Sequence, residues 1–582
     1  MQRNPRDWVE VPVSDVGEGI VAAMTAAGIE YVFFTSGSEI GFFQEAIAKS
    51  NAHGERAPKL ITVTHEHVNL NAALGYAAVS GKPAVTAAHV DIGTQHYGGA
   101  IHTAKHTGLP VLITAGAPPV AYPGSMRGAR HGGGHIWMQQ TYDQNAIVRQ
   151  YMKWDHRLEY QDNAGLIVSR ALQVACTEPA GPVYLSMPRE ITSRAITCAR
   201  FPSVGQFGIA GPAAPEPQAV REIAERLVRA ENPFIVVARS GRHPGCVPAL
   251  VRLCELLGLP VIDSALNAYL CFPMGHPLYQ GKRGLHDADV VAVLDVDVPW
   301  MPGTQEPPAH AYVAVIDIDH AKAKIPTLEF TADLRLTADS LMAIEAIEAA
   351  VRSIATIEDL NRFRQRASRW AKVTQARRDE LEQDAKTRSA KTPIDPRWLS
   401  HQIGQFLNDE SIVFDETFAP NGTGEYLRLS RPGSYFSNPG SSGGWATGAA
   451  LGGKLAAPNR DVIAISGDGF YMFGTPTAAL WSAVHYRAPF LQIVYQNRSY
   501  STGVLRTSEM YPDGYAAKGG FEGGYFDPPM DFAKEAEAAG AYGENVRDPA
   551  QIAPALRRGL QQVRAGKPAV LSFWLPRFLQ DD

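Results

Sequence analysis

Short apolar runs, often bounded by glycine or proline, alternate with helical stretches in three separate blocks of this sequence. That alternation constrains the fold more than any other feature. In the first block, residues 16–191, the runs fall at 31–34, 60–64, 83–89 and 110–115. Strands that are apolar throughout and separated by helices have to be covered on both faces, which a parallel sheet with crossover helices achieves. The stretch 201–217, FPSVGQFGIAGPAAPEP, interrupts the pattern with the density of proline and glycine expected of a linker. A second block follows with PFIVVA, DVVAVLDV and YVAVIDID. Residues 346–395, rich in Arg, Lys, Glu and Ala, read as a charged helical connector facing water. From Pro396 the scheme recurs with SIVFDE, DVIAISGD, PFLQIVYQN and PAVLSFWL. The expected architecture is α/β, with three doubly wound parallel-sheet domains at 1–195, 215–345 and 396–582 and a helical connector at 346–395.

A length of 582 residues excludes a single small binding module. The 54 Lys and Arg set against 59 Asp and Glu give a net charge of −5, too balanced for a chain that lives by binding nucleic acid. No uninterrupted apolar run reaches the ~18 residues of a membrane span, and no secretory h-region follows the basic residues at the start. The five cysteines form no CxxC pair and no disulfide framework. The expectation is a protein of the cytoplasm whose partners are small molecules and further copies of itself, with no nucleic acid and no membrane.

The most informative segment is Gly467-Asp468-Gly469, followed by the 26 residues 470–495 and then Gln496-Asn497-Arg498-Ser499. A carboxylate at one strand's carboxyl end and an amide oxygen at the next can converge on a hard divalent cation, together with a nearby backbone carbonyl. Phosphate oxygens would complete the octahedron. The glycines flanking Asp468 let the backbone approach those phosphates, and a following helix start offers N–H groups.

With this motif the sequence resembles the thiamine-diphosphate enzymes of the acetolactate synthase and benzoylformate decarboxylase group, over nearly the whole chain. The three domains then correspond to a pyrimidine-binding, a middle and a diphosphate-binding domain. The resemblance implies Mg2+ held by Asp468, Asn497 and the carbonyl of Ser499. It also implies contacts to the cofactor from Thr417, Ser441, Gly443, Gly467, Asp468, Gly469, Phe470, Asn497 and Ser499. An independent match lies in TVTHEHVNLNAALGYA, where Glu66 precedes Gly75-Tyr76-Ala77 at the family's spacing. A carboxyl group hydrogen-bonded to the aminopyrimidine promotes the tautomer that takes the proton from the reactive carbon, and Glu66 is that candidate. The segment 88–104 resembles the benzoylformate decarboxylase stretch whose histidine serves in acid–base steps, which falls on His89. Ser38 falls beside it as a contact for the substrate carboxylate, with His96 a further neighbour.

The sequence also departs from the family. Gln496 replaces the first Asn of an NN pair. Gly443 stands where a large apolar residue wedges the cofactor into a bent shape, leaving that support to Trp445 or another side chain. The middle-domain histidine is absent, the stretch reading DVDVPWMPG at 295–303, and the basic stretch that accompanies FAD is replaced, so FAD is not expected. Arg239 and Arg242 are placed to meet a nucleotide phosphate such as that of coenzyme A. Loop 123–135 presents Arg127, Arg130, His131 and His135 among glycines, and 506–529 reads as a lid. The implied function is C–C bond cleavage or formation on a 2-oxo acid, with an aldehyde or ketone as a second substrate. One alternative is cleavage of a 2-hydroxyacyl-CoA to a carbonyl compound and formyl-CoA; another is a non-catalytic protein of the same fold. A homodimer or homotetramer is implied, with sites shared between the first domain of one subunit and the third of another.

Overall fold

The computed structural model describes residues 8–131, 133–417 and 422–580. They build three open parallel sheets. The first runs in the spatial order Lys59–Thr62, Tyr31–Phe34, Ala84–Ala88, Val111–Ala117, Val183–Pro188 and Trp154–Arg157. The second has five strands in the order Val261–Asp263, Pro233–Val237, Val290–Leu294, Tyr312–Ile316 and Leu334–Leu336. The third repeats the six-stranded order of the first, as Tyr435–Ser437, Ser411–Glu416, Asp461–Gly467, Leu491–Gln496, Ala569–Trp574 and Tyr542–Val546. The inner strands are buried almost end to end, as their Val, Ile, Leu and Ala content requires when helices cover both faces, while edge strands such as Lys59–Thr62 and Trp154–Arg157 are only partly buried.

In the first and third sheets the chain starts near one edge, adds a strand on one side and then crosses to the other. The crevice this leaves at the carboxyl ends lies between Phe34 and Ala88 in the first sheet and between Glu416 and Gly467 in the third. Both candidate half-sites sit in these crevices.

The first and third domains meet along helices Glu66–Ser80 and Trp445–Ala456, which approach most closely at glycine and alanine. A Cβ on Gly75 would lie 2.0 Å from the Ala449 carbonyl oxygen, and one on Gly452 would lie 1.8 Å from that of Ala72. Only glycine allows these backbones to touch. Thr62 N donates to Tyr486 Oη at 2.6 Å and Ser482 Oγ to Thr62 O at 3.0 Å, pinning the seam at one end.

Two features differ from the sequence reading. Strand Cys198–Pro202 returns to pair antiparallel with Trp8–Pro12, so ordered structure continues into the stretch read as linker, whose glycine density begins only after it. The charged connector is mainly the 31-residue helix Ile357–Thr387, and one of its faces is docked rather than exposed. Phe363, Arg366 and Trp370 recur at helical spacing and are buried. The Arg366 guanidinium donates to the carbonyls of Leu257 and Ala230, at 3.1 and 2.8 Å.

Candidate active site

The third-domain half is built where strand Asp461–Gly467 ends. Asp468 opens the short helix Asp468–Phe473 and is 2% exposed. Its Oδ1 accepts from Gly469 N at 2.9 Å and its Oδ2 from Arg498 N at 2.5 Å. Burial pushes this carboxyl up to about 7, the backbone N–H groups opposing it only in part. Arg498 adopts φ +58°, a left-handed turn immediately after Asn497. Asn497 Oδ1 accepts from the backbone N and the hydroxyl of Ser499, each at 3.1 Å, while its Nδ2 donates to Ser501 Oγ at 2.8 Å. Gln496, the departure from the paired-Asn motif, links the sheet to the segment above it. Its Oε1 accepts from Ser572 Oγ at 2.8 Å and its Nε2 donates to Met530 O at 2.7 Å.

A cavity of about 280 Å³ opens here, lined by Glu416, Thr417, Gly443, Asp468, Phe470 and Asn497 among others. Gly467, Gly469 and Ser499 also line it; Ser441 does not, and sits in a left-handed turn at φ +55°. The Thr417 hydroxyl is held by Asp415 Oδ1 at 2.6 Å. A Cβ on Gly443 would lie 2.7 Å from the Phe470 ring, so Phe470 occupies the space a side chain at 443 would fill. Trp445 is buried, edge-on to Phe414, and does not line the cavity.

Glu416 is a site residue that the sequence reading missed. Its two oxygens accept from Trp445 N and Ala446 N, both at 3.1 Å, capping helix Trp445–Ala456 from the end of the neighbouring strand. Burial pushes it up to about 7 despite those bonds. Its position as the last residue of SIVFDE, at the crevice, was the only signal for it.

In the first domain, Glu66 is the first residue of helix Glu66–Ser80 and is 7% exposed. Its Oε2 lies 3.5 Å from His96 Nδ1, and a Cβ on Gly93 would lie 3.1 Å from its Oε1. Every residue lining the Asp468 cavity comes from the third domain, so one chain does not bring Glu66 into it. Ser38 and His89 do come together, through a second acid absent from the sequence reading. Glu39 is 1% exposed, with Oε2 2.7 Å from His89 Nδ1 and accepting from Ser38 Oγ at 2.8 Å.

Most of the cationic groups singled out in the sequence are engaged within the chain, while His135 is exposed. Arg130 donates to Pro119 O at 2.8 Å and stacks over Trp137. His131 Nε2 lies 2.6 Å from Arg189, and Arg127 lies 3.8 Å from Asp15. Arg239 pairs with Asp297 at 2.6 Å and Arg242 with Glu178 at 2.6 Å, so both arginines expected to meet a phosphate already face carboxylates. The segment 506–529 folds back beside the Asn497 turn, where Tyr500 N donates to Gly524 O at 2.8 Å and Phe526 N to Arg498 O at 2.9 Å.

The three domains have counterparts in known proteins. The N-terminal TPP binding domain of thiamine pyrophosphate enzymes matches residues 14–147, their central domain 220–347 and their C-terminal TPP binding domain 421–573. The chain belongs to the thiamine pyrophosphate (thiamine diphosphate) enzymes. It is 28% identical to a benzoylformate decarboxylase of Pseudomonas aeruginosa over 445 residues, covering 76% of this chain and 79% of that one. It is 24% identical to an acetolactate synthase of Bacillus subtilis, with 93% and 90% covered. A sulfoacetaldehyde acetyltransferase of Castellaniella defragrans is 25% identical, with 97% and 94% covered. Among solved structures, benzoylformate decarboxylase from Polynucleobacter necessarius superimposes with a TM-score of 0.76 at 18% identity, covering 97% of this chain and 99% of the other, which shows the shared fold. Among the described residues no helix is long and apolar enough to cross a membrane.

Proposed function

We propose that the chain is a thiamine-diphosphate- and Mg2+-dependent enzyme that decarboxylates a 2-oxo acid, ligates its remaining fragment to a second carbonyl compound, or does both. The observation that carries this reading is Asp468, a carboxylate buried at a sheet crevice and held by the backbone N–H groups of Gly469 and Arg498, with a second oxygen donor, Asn497, at the end of the adjoining strand. Aspartate, an asparagine carbonyl and a main-chain carbonyl form the all-oxygen donor set that suits Mg2+. The residues therefore fit the group: Asp468, Asn497 and the Ser499 carbonyl would hold the metal. The backbone at Gly467, Gly469 and Phe470 would meet the diphosphate, with Thr417 beside it. Bound thiamine diphosphate would supply a nucleophilic thiazolium carbon for the substrate carbonyl and, in its ring, an electron sink for the pair left by departing CO2.

Around that chemistry the chain's own groups position and move protons. Phe470 forms an apolar wall in the place of the missing side chain at 443. Glu66, close to the start of its helix and nearly out of water, is suited to exchange a proton with the aminopyrimidine. Because it lies outside the cavity of its own chain, it acts in the site of a second copy, which makes a homodimer or homotetramer the working form. Ser38 and His89 provide a hydroxyl contact for the substrate carboxylate and an imidazole for proton transfer. Benzoylformate, the substrate in the name of one relative, is itself a 2-oxo acid. The paired state of Arg239 and Arg242 gives no support to an acyl-CoA substrate.

The test is turnover of pyruvate, benzoylformate and further 2-oxo acids by purified protein with Mg2+ and thiamine diphosphate, followed by CO2 release. Activity lost on chelation and restored by Mg2+ is expected. Release of CO2 that is indifferent to chelator and to added cofactor would overturn the reading.

A further inference from the structure

Glu39 has no part in the activity as described so far, yet it is among the most buried carboxylates in the first domain. Two glycines make room for it and for its histidine. A Cβ on Gly116 would lie 2.6 Å from Glu39 Cβ, and one on Gly37 would lie 2.4 Å from His89 Cβ and 2.7 Å from its Nδ1. The backbone thus presses the carboxylate and the imidazole together in the crevice between Phe34 and Ala88. Glu39 Oε2 faces His89 Nδ1 and the Ser38 hydroxyl; Oε1 lies 3.7 Å from Arg189, whose Nε and Nη2 are spent on the carbonyls of Gly128 and Ala129. Burial raises the Glu39 carboxyl, but His89, Ser38 and Arg189 outweigh it and hold it below the usual range, so it is ionised at neutral pH.

An ionised carboxylate only accepts, so the nitrogen facing it carries the proton. On the other side of the ring, His89 Nε2 lies 3.2 Å from the Gln139 amide nitrogen, which donates to it once Nδ1 carries the proton.

We propose that Glu39 is the positioning residue of this half of the site: it fixes His89 as the Nδ1–H tautomer and turns Nε2, free to take up a proton, toward Gln139 and the loop above the crevice. The consequence for catalysis rests on the reading that His89 transfers protons in a 2-oxo acid reaction; the pairing itself does not. The arrangement orients a single imidazole nitrogen at the reacting side, as a carboxylate does when it holds a general base in one tautomer.

Two-bond 15N–1H spectra of histidine-labelled full-length protein, loaded with Mg2+ and thiamine diphosphate at pH 8, test the pairing. The His89 signal is identified by its loss in His89→Ala. The proton is expected on Nδ1 in the wild type and on Nε2 in Glu39→Leu. A wild-type proton on Nε2, or the same tautomer in both proteins, overturns the proposal, and the wild-type spectrum decides it even if Glu39→Leu does not fold. On turnover, Glu39→Gln should lower kcat about 10- to 100-fold with thiamine diphosphate affinity unchanged, and should cost nothing further in a His89→Ala background. An equal cost in both backgrounds would make Glu39 merely structural and overturn it. Full activity of His89→Ala would instead remove His89 from the reaction while the spectra still judge the pairing.

Discussion

Replacing Asp468 by asparagine should stabilise the metal-free protein at pH 8 while abolishing its hold on the metal. The wild-type carboxyl is raised from 3.8 to about 7 in the fold. A group raised in this way contributes stability that is complete below the unfolded value and is lost as pH climbs through the folded one. At 1.36 kcal/mol per pH unit, the separation amounts to about 4 kcal/mol of lost stability once pH exceeds 7. Asparagine keeps the shape and an acceptor for one backbone N–H, and carries no charge at any pH. Relative to wild type, Asp468→Asn should therefore be nearly equal in stability at pH 4 and more stable by about 3–4 kcal/mol at pH 8. Urea denaturation of both proteins in chelator at the two pH values measures this, with the C-terminal domain's transition compared. Adding Mg2+ and thiamine diphosphate should reverse the order at pH 8, since only the wild type gains from the ligands. A variant less stable than wild type in chelator at pH 8, or a difference independent of pH, would refute the reasoning that the cost of burying the Asp468 charge is only partly offset.

Three further outcomes follow from the geometry. Gly452→Ala places a methyl 1.8 Å from the Ala72 carbonyl oxygen, and forcing the two helices apart should cost about 1–3 kcal/mol or more, seen as a lowered thermal midpoint; an unchanged midpoint would mean the seam is looser than the structure shows. Phe470→Ala should weaken thiamine diphosphate binding about tenfold by calorimetry, and adding Gly443→Leu to it should recover part of the loss, whereas Gly443→Leu alone collides with the Phe470 ring and binds poorly. Mixing inactive Glu66→Ala and Asp468→Ala subunits should regain part of the activity, because one site of each hybrid pairs unmutated halves; mixtures that stay as inactive as the parents while wild-type controls survive exchange count against a shared site.

The fold was legible because doubly wound sheets write themselves as uniformly apolar runs separated by helices, and the comparisons agree with that architecture. That Asp468 and Asn497 follow neighbouring strands and line one cavity was equally visible, since two adjacent parallel strands fix the spacing between their carboxyl ends. Glu39 and Glu416 were not visible. Each is one acidic residue without a spacing partner, and its meaning comes from a backbone approach far away in sequence, at Gly116 for Glu39 and at the start of helix Trp445–Ala456 for Glu416. The same holds for Phe470, whose ring direction answers the question raised by Gly443 yet leaves no periodic trace. The return of strand Cys198–Pro202 to Trp8–Pro12 was hidden because a two-stranded pairing across nearly the whole first domain has no local signature. At 123–135 the sequence showed the cations but not their neighbours within the domain, such as the Pro119 carbonyl and the Trp137 ring at Arg130 and Arg189 at His131.

The central claim is that the cavity beside Asp468 holds a metal-bound diphosphate, and the most direct measurement is calorimetric titration of thiamine diphosphate into the purified protein. Saturable binding in Mg2+, lost in chelator and lost in Asp468→Ala at either condition, is the predicted result. Binding of equal strength to wild type and Asp468→Ala in Mg2+ would contradict the account.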